Sequence, residues 1–151
     1  MIKKYTILIS SFILLFLQVG CAPKSQKIEI TNSSYSISEE KNGHQILEYS
    51  YSILYPNNKP LKEESFKPIL ASWVNDLLVS ENINSSKNNN NERIIVVEGE
   101  VVLDSNNLNK DDIQKKDSSE KIIKGFTIED TSGSTYEVID DTPDTKIRLI
   151  D

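Results

Sequence analysis

The segment from Gln45 to Tyr55 constrains the fold more than any other part of the chain, because apolar and polar residues alternate along most of it. One set of positions is apolar or aromatic and the set between them is largely polar: Leu47, Tyr49, Tyr51, Ile53 and Tyr55 against Glu48, Ser50 and Ser52. A repeat of two residues is typical of a β-strand with one face in a core and one in water. The segment therefore predicts a sheet buried on one side, preceded by a hairpin turn at Asn42-Gly43.

Other stretches are also predicted to be strands. Arg93 to Leu103 is apolar on both faces around Ile94 to Val97, which favours a central strand. Thr145 to Ile150 is short and carries Lys146 and Arg148, which discourage further pairing, so we expect it at an edge. Three more stretches are interpreted as strands, the last two joined by a turn at Asp130-Thr131-Ser132-Gly133: Ile28 to Ile37, Lys121 to Glu129, and Ser134 to Ile139.

The repeat changes between Phe66 and Leu78. Apolar residues there recur every three or four positions: Phe66, Ile69, Leu70, Trp73, Val74, Leu77 and Leu78. This spacing predicts an amphipathic helix of about four turns, capped by Ser65, with Pro68 in its first turn. We interpret Trp73 as the centre of this helix's packing on the sheet; the alternative is an exposed ring that stacks on a ligand.

Two polar stretches, Asn82 to Glu92 and Asp104 to Ser119, are interpreted as mobile loops because of their composition. Together these elements predict an α+β fold. Its parts would be a mostly antiparallel sheet of five to seven strands and one amphipathic helix packed on one face.

The N-terminus has the three parts of an export signal. Lys3 and Lys4 form a positive flank, an apolar run extends from Ile7 to Val19, and the small residue Gly20 follows. The run is shorter than the roughly 20 apolar residues that cross a bilayer as a helix. We therefore interpret residues 1–20 as a signal peptide that is removed, residues 21–27 as a tether, and residues 28–151 as a single small domain.

Val19-Gly20-Cys21 resembles the lipobox of bacterial lipoproteins, which lipoprotein signal peptidase cleaves. The resemblance implies that the Cys21 thiol is joined to diacylglycerol and that cleavage falls between Gly20 and Cys21. Gln18 departs from the apolar residue that the family prefers three positions before the cysteine. The alternative is an ordinary secretory signal with a chance cysteine, but Cys21 is the chain's only cysteine and stands where lipidation requires it. A diacylglyceryl group supplies the two acyl chains that stable anchoring takes.

The residue after Cys21 and the net charge of the chain indicate to which membrane the protein is delivered and what it binds. Ala22 after the cysteine favours delivery to the outer membrane, with the domain on the periplasmic or surface face. The 17 basic and 23 acidic residues give a net charge of −6, which becomes −8 once Lys3 and Lys4 leave with the signal. An acidic surface repels phosphates, so nucleic acid is not an expected partner. The expected partners are the lipid bilayer, through acylated Cys21, and an unknown envelope or surface protein.

The residues that could carry chemistry are few. His44 is the only histidine and Cys21 is committed to lipid, so we expect no zinc site and no histidine-based triad, and interpret His44 as an exposed turn residue. Asp140, Asp141 and Asp144 are the only candidate for calcium, but Thr142-Pro143 interrupts them and they are interpreted as a solvated acidic loop. No cofactor is predicted.

Two Ser-x-x-Lys sequences, Ser38 to Lys41 and Ser118 to Lys121, have the spacing of a serine nucleophile with a lysine partner. The abundance of serine and lysine in the chain accounts for both. Neither is followed by a helical apolar stripe, and we interpret both as chance.

Two wider resemblances concern the mature domain. From Ile28 to Asp140 the layout resembles a domain of unknown function found in extracellular parts of anti-sigma factors and beside peptidoglycan deacetylases. The shared features are a strand ending at Tyr55-Pro56, a helix containing Val74-Asn75, and Asp130-x-x-Gly133 between two strands. This resemblance implies binding of envelope partners. Separately, two short motifs are similar to the first strands of an OB-fold: Val97-x-Gly99-x-Val101 and Phe126-x-Ile128-x-Asp130.

The sequence thus predicts a non-enzymatic, lipid-anchored envelope or surface protein that binds or scaffolds. The alternative is an accessory of an envelope hydrolase, or a cryptic enzyme that works through carboxylates such as Glu98 and Glu100. Whether these two carboxylates face a cleft or open solvent discriminates between the two hypotheses.

Overall fold

A computed structural model of the protein describes residues 27–39, 43–104 and 108–150. Strands make up most of this part of the chain: β1 Glu29–Glu39, β2 His44–Leu54, β3 Lys67–Leu70, β4 Leu78–Asn88, β5 Asn91–Asp104, β6 Ile123–Glu129, β7 Thr135–Asp141 and β8 Asp144–Leu149. A 3-10 turn covers Glu63–Ser65, a single helical turn, α1, covers Ser72–Asn75, and a longer helix, α2, covers Lys110–Ser119.

The strands form two antiparallel sheets of four. The first sheet has the order β1-β2-β5-β4 and the second has the order β3-β6-β7-β8. Their inner faces meet in one apolar core, where the ring of Phe126 from the second sheet lies 5.0 Å from that of Tyr51 and 6.2 Å from that of Tyr49. Phe126 also lies 6.3 Å from Phe66. The molecule is therefore a β-sandwich with one longer helix, which is broadly an α+β fold but has more strands than the five to seven predicted.

Strand β2 confirms the strongest sequence signal. Leu47, Tyr49, Tyr51 and Ile53 are buried, while Glu48 between them is exposed. The interpretation of β5 as a central strand is also confirmed, because it pairs with β2 on one side and β4 on the other. The hairpin around Asp130–Gly133 and the edge position of β8 are as predicted as well.

The predicted helix from Phe66 to Leu78 is wrong. Lys67–Leu70 forms β3, which pairs with β6, and only Ser72–Asn75 is helical before β4 begins at Leu78. Pro68 lies opposite Phe126 in an edge strand, a position where a missing backbone donor is tolerated. The apolar residues recur every three or four positions because β3, the turn α1 and the start of β4 each place residues against the core. Pairing of Lys67–Leu70 with β6 outweighs the helical pattern.

The predicted loop from Asn82 to Glu92 is also wrong, since most of it is the edge strand β4. The apolar strand β5 supplies its hydrogen-bonding partner, in a register that sets Asn84 opposite Glu98 and Ser86 opposite Val96. Polar side chains are compatible with an edge strand whose outer face is in water. Composition alone therefore gave a misleading prediction here.

The predicted flexible stretch from Asp104 to Ser119 contains α2 instead; residues 105–107 lie outside the described parts. Asn109 caps the helix in a reciprocal capping box, in which its side chain accepts from the backbone of Asp112 at 3.0 Å and its backbone donates to the Asp112 carboxylate at 3.3 Å. Ile113 is the helix's one buried residue and is fully enclosed. The helix rests on one end and edge of the sandwich rather than across a sheet face, which corrects the predicted packing.

One end of the sandwich, which we call the upper end, holds α2 and the β7–β8 hairpin at Asp141–Asp144. The two are joined because Lys121, next to α2, contacts Asp140 and Thr142. Strand β1 contacts both: its Ile30 backbone N–H donates to Thr145 Oγ1 at 3.0 Å, and its Tyr35 hydroxyl donates to Asp117 of α2.

Candidate functional site

A cleft of about 290 Å³ opens between β1 of the first sheet and α2 and β7 at the upper end. Its floor is formed by apolar and aromatic side chains: Leu47, Tyr51, Ile122 and Ile123. Its rim is polar and carries Ser33, Tyr35, Asp117, Ser118, Lys121 and Asp140. An apolar floor with a few fixed polar groups is the usual construction of a small-ligand site.

The cleft exists because the second sheet does not cover the whole core-facing side of β1. Ser33 and Tyr35 lie opposite the buried residues Tyr51 and Tyr49, which places them on the core-facing side of the first sheet. Nevertheless Ser33 is exposed and Tyr35 retains 54% of its surface. The second sheet therefore leaves this part of β1 open, and α2 forms the opposite wall.

Tyr35 and Asp117 form one side of the cleft. The Tyr35 hydroxyl donates to Asp117 Oδ2 at 2.5 Å, and the Ile122 backbone N–H donates to Asp117 Oδ1 at 2.8 Å. The hydrogen bond to Asp117, together with burial and the negative charge, raises the pKa of Tyr35 to about 12. The phenol is a neutral donor at physiological pH, and its hydrogen bond to Asp117 holds the exposed ring in one orientation.

Lys121 and Asp140 form the other side. Lys121 Nζ lies 2.9 Å from Asp140 Oδ2 and donates to Thr142 Oγ1 at 2.9 Å. The Thr142 hydroxyl in turn donates to Asp140 Oδ1, and the Asp140 side chain is only 4% exposed. The prediction of a solvated acidic loop is therefore wrong for Asp140, which is buried and ion-paired. It holds for exposed Asp141 and Asp144.

Tyr51 closes the floor between these two sides. It is buried, and among the described residues its hydroxyl makes one hydrogen bond, a long one of 3.5 Å to the Ile123 carbonyl. Burial, with the nearby acidic residues, raises its pKa well above the usual value for tyrosine. The floor therefore presents a neutral hydroxyl with capacity for a further hydrogen bond.

One of the two Ser-x-x-Lys sequences reaches this cleft without forming a dyad. Ser118 and Lys121 both line it, but the Ser118 hydroxyl donates to the Gln114 carbonyl at 2.8 Å and the ammonium of Lys121 faces Asp140. The other sequence ends at Lys41, outside the described residues. His44 is the first residue of β2, at the upper end, and is half-buried rather than exposed as predicted.

Glu98 and Glu100, the carboxylates of the hypothesis of a cryptic enzyme, lie outside the cleft, on the outer face of the first sheet. Glu98 is exposed and lines a shallow groove with Glu48, Ser34, Ser36 and Ser50. Glu100 is half-buried and lies opposite Glu48 in the β2–β5 register. Both carboxylates thus lie on a broad polar face of sheet, on the side away from the cleft. In the described ranges, no group of three or more acidic, histidine or cysteine side chains is placed to hold a metal ion.

Trp73 lies neither on a long helix nor at the centre of the core. It belongs to the single turn α1 and is partly buried against the core, with Lys116 of α2 positioned 5.3 Å above its ring. It therefore joins α2 to the upper end of the sandwich and does not line the cleft.

The sequence drew attention to Ser118, Lys121 and Asp140 but predicted no shared site for them, because Ser118 to Lys121 was interpreted as chance and Asp140 as part of a solvated loop. Ser33, Asp117 and Asp140 come from three separate elements, β1, α2 and β7, and only the tertiary fold brings them together. One usable signal was present: the core-facing positions of β1 include Ser33, and a polar residue there indicates that the strand lacks cover. A second was the capping box at Asn109 and Asp112, which marks the start of the helix that forms the far wall.

The predicted lipidation and cleavage residues, Cys21 and Gly20, lie outside the described residues. Within those residues no helix is long and apolar enough to cross a membrane.

The two motifs similar to an OB-fold fall in different sheets. Val97 to Val101 lies in β5 of the first sheet, whereas Phe126 to Asp130 covers the last part of β6 in the second sheet, so the two are not neighbouring strands. Comparisons with protein-family models, with curated proteins and with solved structures found no match to this chain.

Proposed function

We propose that this chain is a membrane-anchored lipoprotein of the bacterial envelope or surface, and that its sandwich domain is a binding module rather than an enzyme. The cleft between β1 and α2 is the proposed binding site. The anchor rests on Gly20-Cys21 after a short apolar run, and the binding role rests on the cleft.

The anchor is tested at Cys21. Cys21→Ser removes the only thiol that could carry diacylglycerol, so the variant should no longer incorporate a fatty-acid analogue supplied to the cells. The precursor should also accumulate uncleaved. Equal labelling of the wild type and the variant would contradict the anchor.

The cleft's construction supports binding. Its charged groups are engaged, Asp117 with the Tyr35 hydroxyl and Lys121 with Asp140, so they form a fixed pattern of donors and acceptors around an apolar floor. The exposed ring of Tyr35 adds a flat surface that combines apolar contact with a hydrogen-bonding hydroxyl. Such a surface suits a polar segment of an envelope partner that also carries some apolar area.

The binding role is tested by photo-cross-linking in intact cells. A photoactivatable amino acid at Ser33, in the cleft, should capture a partner, and the same amino acid at exposed Val79 in β4 serves as the control. Adding Tyr35→Ala should reduce capture from Ser33. Equal capture from both positions, or capture from Ser33 that Tyr35→Ala does not change, would contradict the cleft as the binding site.

The second candidate is a carboxylate-based activity on the outer face. One observation favours it: Glu98 and Glu48 line the same groove, where the Ser36 hydroxyl donates to Glu48 at 3.3 Å. Paired carboxylates can share general acid and base roles in glycoside hydrolysis. Loss of an envelope-hydrolase phenotype in Glu98→Gln, with unchanged cross-linking from Ser33, would favour this candidate over the binding module.

A further inference from the structure

The charged side chains that line the cleft leave one negative charge uncompensated. Asp117 and Asp140 are acidic and Lys121 is basic, so two negative charges and one positive charge give the lining a net charge of −1. Lys121 forms its ion pair with Asp140, at 2.9 Å. Among the described residues Asp117 has no cationic partner, so the unbalanced charge lies on the side of the cleft that Asp117 and Tyr35 form.

Lys121 has no donor left for an anionic ligand. A lysine ammonium carries three N–H donors. The donors of Lys121 meet three acceptors of the protein: Asp140 Oδ2 at 2.9 Å, the Thr142 hydroxyl at 2.9 Å and the Asp140 backbone carbonyl at 3.4 Å. The cleft is therefore poorly suited to a carboxylate or a phosphate.

Asp117, by contrast, has acceptor capacity to spare. An ionised carboxylate offers about four acceptor positions, two on each oxygen. Asp117 uses one on each: Oδ2 accepts the Tyr35 hydroxyl at 2.5 Å and Oδ1 accepts the Ile122 backbone N–H at 2.8 Å. Both donors are neutral, so they fix the position of the carboxylate without cancelling its charge. The remaining positions suit the donors of a cation.

The ring of Tyr35 also favours a cation. Tyr35 retains 54% of its surface, and its hydroxyl is bonded to Asp117, so an exposed aromatic ring lies beside the carboxylate. The face of such a ring attracts a lysine or arginine cation that lies within about 6 Å of its centre. A cation that contacts the ring can thus also reach Asp117.

The floor completes a site for a long side chain. Leu47 and Ile122 offer apolar contact for the methylene groups of such a side chain, while its charged end stays at the rim. Burial, followed by the charges of Asp140 and Asp117, raises the pKa of Tyr51, so the negative potential extends to the floor. A volume of about 290 Å³ is at the lower limit of the roughly 300–1,000 Å³ of small-molecule sites, which favours one side chain over a large ligand.

We propose that the cleft binds a lysine or arginine side chain of a partner polypeptide. The charged group lies between the Asp117 carboxylate and the Tyr35 ring, and the aliphatic stem lies along the floor. The inference rests on the proposed binding role of the cleft and adds the chemistry of what it binds. The net charge of −6 of the whole chain also attracts a basic segment of a partner.

The first test uses the mature protein in a zwitterionic detergent and pentapeptides blocked at both ends, each with one variable residue between glycines. The variable residue is lysine, arginine, norleucine or glutamate. Binding is followed by the NMR shift of the Ile122 amide, because that N–H is bonded to Asp117. We expect saturable shifts with the lysine and arginine peptides, which weaken as salt is added, and none with the norleucine and glutamate peptides at the same concentrations.

The second test removes the charge of Asp117 while it keeps the size of the side chain. Asp117→Asn should weaken binding of the lysine peptide about tenfold, the loss expected for one charge-assisted hydrogen bond. Asp111→Asn makes the same chemical change at an exposed position of α2 that does not line the cleft, and it should leave binding unchanged. Equal binding to Asp117→Asn and the wild type would overturn the inference.

The peptide comparison needs no variant and separates the inference from the binding role. Shifts from the norleucine or glutamate peptide as large as those from the lysine peptide would show that the ligand class is wrong. The same holds if no peptide shifts the Ile122 amide although cross-linking from Ser33 captures a partner, since the cleft then binds something else. If no peptide binds and Ser33 captures nothing, the binding role fails together with the inference.

Discussion

Replacing Ile113 with alanine should release α2 from the sandwich without unfolding the sheets. Ile113 is the one buried residue of the helix and is fully enclosed. Removing a buried isoleucine to alanine typically costs about 2–5 kcal/mol. A helix of ten residues has little stability of its own, so docking on the sandwich keeps it folded, and Ile113 supplies the buried side chain of that docking. The loss therefore falls first on α2 rather than on the whole domain.

Hydrogen exchange measures this directly. A loss of about 2 kcal/mol in docking should speed exchange of the α2 amides roughly 30-fold, because each 1.4 kcal/mol is about a factor of ten. Amides of the central strand β5 should change less. Gln114→Ala, at the exposed neighbouring position, is the control and should leave α2 protection nearly unchanged. Equal protection of α2 in the wild type and Ile113→Ala would refute the docking argument, whereas equal losses in α2 and β5 would show that the helix and the sheets unfold together.

Three further predictions concern single positions. Because the hydrogen bond to Asp117, with burial, raises the pKa of Tyr35 to about 12, this bond should contribute stability below pH 10 that is lost as pH rises toward 12. Asp117→Asn should reduce this loss, and an alkaline absorbance titration and melts would detect the reduction. Hydrogen bonds from Ser132 and its neighbours lower the pKa of Asp130, so Asp130→Asn should weaken the acid-side decline in stability that occurs below about pH 4; an unchanged acid profile would contradict this. A Cβ on Gly99 would lie 2.4 Å from the backbone oxygen of Asn82, so Gly99→Ala should destabilise the protein by about 1–3 kcal/mol in a denaturant melt, and an unchanged midpoint would argue against this close approach.

The sequence predicted those elements whose pattern is set by their own residues. Strand β2 alternates because each of its faces meets one environment, and the Asp130–Gly133 turn follows from local chemistry: the Asp130 carboxylate accepts the backbone N–H of Ser132 at 2.8 Å, and Gly133 has a φ of 96°. These features need no knowledge of distant residues.

The errors occur where distant partners decide the structure. Lys67–Leu70 became a strand because β6 offers an edge, and Leu78–Asn88 became one because β5 is apolar and unsatisfied on that side. The cleft is a stronger case, since its two sides join Tyr35 to Asp117 across 82 positions and Lys121 to Asp140 across 19. Periodicity reports one chain segment at a time, and no local pattern records such pairings.

The position of β5 between β2 and β4 has a consequence for how the chain folds. The β2–β5 ladder sets Tyr49 opposite Gly99, so closing it brings together residues far apart in the chain, and such long closures are slow. The β4–β5 hairpin, by contrast, closes over a turn at Asn88–Asn91 and can form early. Until that hairpin docks, the β1–β2 pair holds its apolar face, Leu47 to Ile53, open to solvent. We therefore expect aggregation during refolding to depend on this face, and substitutions that slow the β4–β5 hairpin to increase it.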